Sequence, residues 1–322
     1  VLTPRPFQSE ALLPTPVAAL ATDDIGDILG FLIEAFSAGK AVALATLVEI
    51  RGGAARSIGT QMAISSDGRY CGYVSGGCTE AAVAAEALLA INENCDRRVL
   101  FGQGAQSFDI ILPCGGGLTI AVHPVRHIEP IAAVLAARTS RRATGLRYSP
   151  SRQTLTVDDT VAETGWDDED FVIAYWPSTR LIVCGRTIEA KTTAKLAAVC
   201  GYDVIEIDPS HDPRIFAEYI DSYSAVALLC HDLDTEVGIL DAALAASPFY
   251  LGALGSSRTH ASRIDYLTKQ GFSRADCDRI KAPIGLFPKA RDANALALSV
   301  LADVAACLQD RRGNFKFGGY GR

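Results

Sequence analysis

From Leu181 to Gln309 strand and helix candidates alternate without a break, and that rhythm restricts the second half of the chain to one architecture. Strand Leu181–Cys184 leads to a helix over Ile188–Cys200, then Gly201 and a strand over Val204–Asp208. A helix over Arg214–Asp221 precedes strand Ala225–Cys230, and a helix over Glu236–Ala246 precedes strand Tyr250–Ala253. Helices then fill Thr259–Gln270 and Ala293–Gln309. Parallel strands need a crossover, and the crossover helices cover both faces of the sheet, so the strands read as short apolar runs. The expectation for 180–322 is a Rossmann-like, doubly wound parallel sheet.

The first half follows other periods. Ile25, Ile28, Leu29, Leu32 and Phe36 recur at helical spacing, with Gly39 at the expected stop. In Ala41–Ile50 the residues Val42, Leu44, Val48 and Ile50 share one face of a strand. Further strands are expected at Gln61–Ile64, Tyr70–Val74, Arg98–Phe101, Asp109–Leu112 and Leu118–His123, interrupted by an Ala-rich helix over Glu80–Ile91. Strands with two helices predict an α+β domain over 1–140. Residues 141–179 are polar and turn-rich, with Tyr148-Ser149-Pro150-Ser151 and the acidic run Asp167-Asp168-Glu169-Asp170, and read as a connector with some β structure of its own. The fold class is α/β, an α+β domain followed by the Rossmann-like one.

Composition narrows the partners. With 49 % apolar and 21 % charged residues, 322 residues suffice for two buried cores. A net charge of -7 argues against nucleic acid as a partner, because phosphate backbones need a basic face. An anionic small molecule stays open, since a few backbone donors and one or two Arg make a local positive site. The nine cysteines are odd in number and no two are separated by only two residues. That spacing supports neither a zinc ribbon nor a disulfide scaffold, and a reduced cytoplasmic setting is expected. Val1 to Pro16 is proline-rich without a long apolar core, and Ala41 to Val48, the longest apolar run, is too short to span a bilayer. Neither a signal peptide nor a membrane segment is expected.

Three glycine-rich loops in the first half carry candidate chemistry. In Gly72-Tyr73-Val74-Ser75-Gly76-Gly77-Cys78-Thr79-Glu80 a strand ends, Gly76 and Gly77 turn the chain, and a helix starts just after the thiol. A helix N-terminus favours thiolate at Cys78, and its amides are candidates for holding a phosphate. The alternative is a small buried hydrophobe beside an ordinary turn. Cys114-Gly115-Gly116-Gly117 joins two strands with consecutive glycines that are costly to order unless something approaches closely; a plain turn with a packed Cys114 is the alternative. Arg56, in Arg51-Gly52-Gly53-Ala54-Ala55-Arg56-Ser57-Ile58-Gly59, has a planar fork suited to phosphate, or is a solvated loop residue.

In the second half Gly185-Arg186-Thr187 stands where a dinucleotide loop carries glycine at its third position, and Asp208 stands where an acid would meet a ribose. Thr187 places a side chain in the cofactor's path, which argues against NAD(P) in the usual mode. His231, Gly255, Arg258 and His260 follow strand ends, where open α/β sheets bind ligands, and Arg258 and Arg263 are candidates for facing an anion; ordinary capping and surface charge explain them equally.

These pieces in this order resemble the XdhC/CoxI family of accessory proteins to xanthine and carbon monoxide dehydrogenases, over about residues 25 to 310. The resemblance rests on Arg56-Ser57-Ile58-Gly59 with Met62, Gly76-Gly77-Cys78-Thr79-Glu80, Cys114-Gly115-Gly116, Tyr250-Leu251-Gly252-Ala253-Leu254-Gly255-Ser256, Arg258-Thr259-His260 and Ala282-Pro283-Ile284-Gly285-Leu286. It implies an accessory protein rather than a turnover enzyme. Such a protein holds the molybdenum cofactor (molybdopterin) transiently, protects it during sulfuration and delivers it to an apo molybdenum hydroxylase, with a cysteine desulfurase as a further partner. The cofactor site it implies comprises Arg56, Gly76, Gly77, Cys78, Glu80, Cys114, Gly115 and Gly116, with no metal held by the protein's own ligands. A homodimer is the default for such a chain. An NAD(P)-dependent oxidoreductase and a non-catalytic scaffold are the rival readings. The chain departs from the family mainly in the second half, where Arg186-Thr187-Ile188-Glu189 replaces a loop richer in glycine.

Overall fold

The computed structural model describes residues 13–104, 112, 115–160, 163–210, 212, 216–230, 233–287 and 290–311. The chain forms two compact units, Val1–Pro177 and Ser178–Arg322.

In the first unit β1 (Val17–Leu20), β2 (Val42–Arg51), β3 (Gln61–Ser65), β4 (Arg69–Gly72), β5 (Arg97–Gly102) and β6 (Gly117–Pro124) form a six-stranded sheet in the order β1-β4-β3-β2-β6-β5. Helix α1 (Ile25–Ser37) covers one face and α2 (Glu80–Glu93) the other. The period-2 pattern of β2 explains this: Val42, Leu44 and Val48 join Ile28, Leu29 and Leu32, while Ala43, Ala45 and Leu47 join Val83, Ala84 and Leu88. Ile50 does not stay with its expected set. The β2–β6 register shifts between Leu47 and Glu49, and this bulge turns Ile50 toward the α2 side.

Residues 141–179 are not a connector. After a third helix, α3 (Glu129–Thr139), the strands β7 (Thr144–Ser149), β8 (Thr154–Val157), β9 (Gly165–Asp167) and β10 (Asp170–Tyr175) form an antiparallel sheet in the order β8-β7-β10-β9. Leu146, Tyr148, Phe171, Ile173 and Tyr175 enter the same core as α1. Trp166 donates to the carbonyl of Val48 at 3.1 Å, at the β2 bulge. The apolar alternation of β7 and β10 was hidden among polar turns, and it decides the packing. The expected strand over Asp109–Leu112 lies mostly outside the described residues.

The second unit bears out the Rossmann-like expectation. β11 (Arg180–Cys184), β12 (Asp203–Ile207), β13 (Ser224–Leu228), β14 (Tyr250–Ala253) and a two-residue β15 (Ile280–Lys281) form a parallel sheet in the order β12-β11-β13-β14-β15. Its fully described helices are α4 (Ile188–Val199), α5 (Leu233–Ala246), α6 (Ser257–Lys269), α7 (Arg274–Asp278) and α8 (Ala293–Arg311). Ile182, Val226 and Leu228 pack on Ile239, Leu240 and Ala243, while Leu181, Val183 and Ala225 pack on Ala190, Ala194, Val300 and Val304. The helix expected over Arg214–Asp221 falls partly outside the described residues. Helix α8 is, among the described residues, the one long and apolar enough to cross a bilayer, yet its Ala297, Val300 and Val304 are buried in this core.

Candidate functional site

The glycine-rich loops of the first unit leave one end of the six-stranded sheet. Arg51 pairs with Gly117, Gly102 pairs with Gly117, and Met62 pairs with Gly72, which sets the ends of β2, β5 and β4 beside the starts of β6 and β3. The glycines let backbone meet backbone there. A Cβ on Gly116 would lie 2.2 Å from the Gly53 carbonyl oxygen and 2.8 Å from that of Arg51. One on Gly102 would lie 2.2 Å from the Gly116 oxygen. Arg51 ties the junction, donating from Nε to the Gln103 carbonyl at 3.0 Å and from Nη1 to Glu49 at 3.0 Å and the Thr119 hydroxyl at 2.7 Å. A Cβ on Gly76 would sit 3.5 Å from that of Ala55, so the Arg56 loop and the Cys78 loop are neighbours.

The amides of the Cys78 loop are not available to a phosphate. Glu80, 3 % exposed, folds its carboxylate back into the turn. Oε1 accepts from the amides of Val74 at 3.0 Å, Ser75 at 2.8 Å and Gly76 at 3.1 Å, while Oε2 accepts from Gly77 at 2.9 Å and Thr79 at 3.1 Å. The Ser75 hydroxyl donates to Glu80 and accepts from the amides of Cys78 at 3.1 Å and Thr79 at 3.0 Å. Burial pushes the Glu80 carboxyl up, but hydrogen bonds from Ser75 and from neighbouring amides outweigh it and hold the group below its ordinary range. Glu80 is therefore a positioning residue. It supplies internally the negative charge that was expected from a ligand.

This arrangement leaves the side of the loop that faces outward. Gly76, Gly77 and Cys78 are exposed, Gly76 and Gly77 have φ of +92° and +114°, and among the described residues nothing lies within 4 Å of where a Gly77 Cβ would be. Gly115, at φ +69°, is likewise exposed with no described residue within 4 Å of where its Cβ would be, and Cys114 lies outside the described residues. Arg56 is engaged by Asp23 at 3.0 Å and lies 6.0 Å from the Tyr73 ring centroid. Asp23 is two-thirds exposed, so this ion pair is weakly held and open to exchange. The surface thus offers an accessible thiol, a guanidinium and side-chain-free backbone.

In the second unit the expected residues gather at the carboxyl ends of the strands but do not form a nucleotide loop. Gly185, at φ +149°, would set a Cβ 2.6 Å from the Leu229 carbonyl oxygen and 3.2 Å from the Ala190 Cβ, so it serves strand–helix approach. The Thr187 hydroxyl caps α4, accepting from the Ala190 amide at 3.3 Å. Asp208 accepts from the Ser210 amide at 2.9 Å and lies 3.6 Å from Arg186. Gly255 gives Thr259 room, and Arg258 is exposed. Arg263, a candidate for facing an anion, instead is buried, forms an ion pair with Glu236 and donates to the Leu254 carbonyl at 3.0 Å. Burial, and then the charges of Arg263 and Arg274, lower the His260 pKa. His231 lies outside the described residues. The thiols of Cys184, the last residue of β11, and Cys230, two residues beyond β13, meet 3.5 Å apart, a pairing not among the expected site residues although both close an apolar run.

Both halves of the chain match known proteins. The model of the XdhC and CoxI family matches residues 35–102, and that of the XdhC Rossmann domain matches residues 181–304. The chain is 50 % identical over 291 residues, 90 % of its length and 91 % of the relative's, to a protein of Escherichia coli (strain K12) named molybdenum cofactor insertion chaperone PaoD. A crystal structure described as a xanthine dehydrogenase from Bacillus halodurans shares the fold, with a TM-score of 0.69, 19 % identity, and coverage of 88 % of this chain and 96 % of that one. With matches in both halves and that degree of identity along nearly the whole length, the chain belongs to the XdhC and CoxI family.

Proposed function

We propose that this chain is a maturation chaperone that takes the molybdenum cofactor as cargo at the glycine-rich end of the first unit and delivers it to an apo molybdenum enzyme. The observation that carries the reading is that the Arg56 loop adjoins both other glycine-rich loops, one of which exposes the Cys78 thiol and has its amides bound by Glu80. The name of the Escherichia coli relative supports the cargo. The cofactor is an anionic pterin with a dithiolene and a phosphate. Cys78, with Cys114 beside Gly115 and Gly116, contacts the sulfur or oxygen ligands of its metal. Arg56 exchanges Asp23 for the phosphate, because the loop amides are already taken. Gly76, Gly77 and Gly115 admit the flat ligand to the backbone.

Finer steps belong to the same proposal. The cofactor is sulfurated while held, with a cysteine desulfurase as the sulfur source, and the client is a hydroxylase of the xanthine dehydrogenase type. The protein works in the cytoplasm as a homodimer. Thr187, whose side chain caps α4, argues against NAD(P) in the usual mode. The deciding experiment is anaerobic titration of the purified protein with molybdenum cofactor, with NADH and NADPH in parallel. Saturable cofactor binding, weakened at least tenfold in a Cys78→Ala, Cys114→Ala double variant, is expected. Full affinity in that variant would remove the thiols from the site, and nucleotide binding without cofactor binding would replace the chaperone with an oxidoreductase.

A further inference from the structure

Two thiols meet at the carboxyl end of the second sheet, at a place the cofactor reading does not use. Cys184 is the last residue of β11, and Cys230 lies two residues past the end of β13. Their sulfurs are 3.5 Å apart, and the Cys230 thiol also donates to the Cys184 carbonyl at 3.5 Å. The Leu229 amide donates to the same carbonyl at 2.8 Å, so the two backbones stay side by side up to this point. Both side chains enter the core that packs on α5, with exposures of 0 % for Cys184 and 7 % for Cys230. Among the described residues no other pair of thiols comes within hydrogen-bond distance.

The place and the contact both favour a covalent step. From β11 the chain adds β12 on one side and β13 on the other, and open α/β sheets bind ligands beyond the strand ends at such a reversal. Covalent contact needs the sulfurs roughly 1.5 Å closer. Cys230 lies beyond Leu228, the last paired residue of β13, so its approach breaks no strand pairing. The hydrogen bond with Cys230, and then burial, push the Cys184 thiol far up and keep it protonated. The first oxidation therefore falls to Cys230, the less buried of the two. A sulfenic acid held against a thiol condenses with it before a second oxidant arrives, because the partner need not diffuse. Cys78, Cys95 and Cys200 are exposed and touch no thiol among the described residues, so they oxidise further instead.

We propose that Cys184 and Cys230 form a modification site, a thiol pair that a peroxide converts reversibly to a disulfide tying the ends of β11 and β13. A peroxide oxygen passes to the Cys230 sulfur: the S–O bond forms as the O–O bond breaks, leaving a sulfenic acid and water. The Cys184 sulfur then attacks the Cys230 sulfur. The S–S bond forms, the S–O bond breaks, and the departing hydroxide takes the Cys184 proton as a second water. The two thiols lose two electrons, and one peroxide is reduced to two waters. A thiol reductant restores both groups, as suits the reduced setting expected from the cysteine spacing. The bridge closes the floor of the crevice just ahead of Gly185.

The test treats the reduced, folded full chain with excess hydrogen peroxide, alkylates the remaining thiols in denaturant and maps the peptides by mass spectrometry. A peptide pair joining Cys184 to Cys230, lighter by two hydrogens than the separate thiols, is expected in most of the protein. Dithiothreitol should abolish it. In Cys184→Ala the cross-link is lost and Cys230, without its partner, should gain two oxygens as a sulfinic acid. An unoxidised Cys230 in that variant overturns the order of steps. The proposal itself is overturned if both thiols remain alkylatable once Cys78 is oxidised, if either pairs with another cysteine, or if the cross-link forms only in urea. The measurement on the parent chain decides this even where the variant fails to fold. No cofactor is present, so failure here leaves the cargo reading untouched.

Discussion

The two units each contain a strand, a glycine turn and a helix, and they close that turn in different ways. Between β4 and α2 the first helical residue, Glu80, carries a full negative charge back under the turn and takes the amides of Val74, Ser75, Gly76, Gly77 and Thr79. Between β11 and α4 the hydroxyl of Thr187 takes the amide of Ala190 alone, and Arg186 and Asp208 face one another 3.6 Å apart outside it. The first turn is saturated from within, so it meets a ligand through what it displays, which is Cys78. The second is merely capped and displays an ion pair. A glycine turn before a helix is thus not by itself an anion site: the residue opening the helix decides whether the amides are open.

Removing Glu80 is the strongest way to break this contrast. Glu80→Ala leaves buried donors without an acceptor, and a loss of about 3–5 kcal/mol of unfolding free energy is expected, as for breaking a buried charged network. Urea titration measures it. A loss under about 1 kcal/mol would mean that water satisfies the amides. The sign of the pH dependence follows from the depressed carboxyl. Its stabilisation is complete above the ordinary value of 4.5 and is lost as pH falls through the lower folded-state value. Glu80→Gln should flatten that acid limb while costing about 1–3 kcal/mol near neutrality.

A middle tier tests whether the glycines of both units serve close backbone approach. Gly116→Ala would drive a Cβ to 2.2 Å from the Gly53 oxygen, and Gly185→Ala would drive one to 2.6 Å from the Leu229 oxygen at φ +149°. Each is expected to cost about 1–3 kcal/mol. Only Gly116→Ala should also weaken cofactor binding, because it parts the loops around the proposed cargo site. Equal weakening by Gly185→Ala would move that site toward the second unit.

Much of this was legible in the residues. The strand–helix alternation after Leu181 specified the parallel sheet because its central strands β11, β13 and β14 are short, apolar and buried on both faces, while the edge strand β12 is only half-buried. The three glycine loops and their thiol were found because runs of glycine are costly without a reason. What escaped was tertiary. Phe171, Ile173 and Tyr175 alternate with period 2, but the acidic turn before them masked a sheet that belongs to the first core. Glu80 was read as a site residue because sequence gives no direction to a side chain. Its carboxylate reaches back to Ser75, a direction that residue spacing alone does not give. Cys184 and Cys230 lie at the ends of two separate strands, so no local spacing announces their contact.

The smallest expected effect sharpens the comparison most. Thr187→Ala removes a single bond of 3.3 Å at a half-buried cap, and such caps are worth about 0.5–2 kcal/mol, with long bonds at the low end. A loss of about 1 kcal/mol is therefore expected in the urea titration used for Glu80→Ala. Because Thr187 accepts from one amide and Glu80 from five, the two losses should differ severalfold. Equal losses would mean that both turns are held by their glycines and strand ends, with the carboxylate adding little. The Cys78 loop would then be no more rigid than its counterpart, and the reason for assigning the cargo to the first unit would rest on the thiol alone.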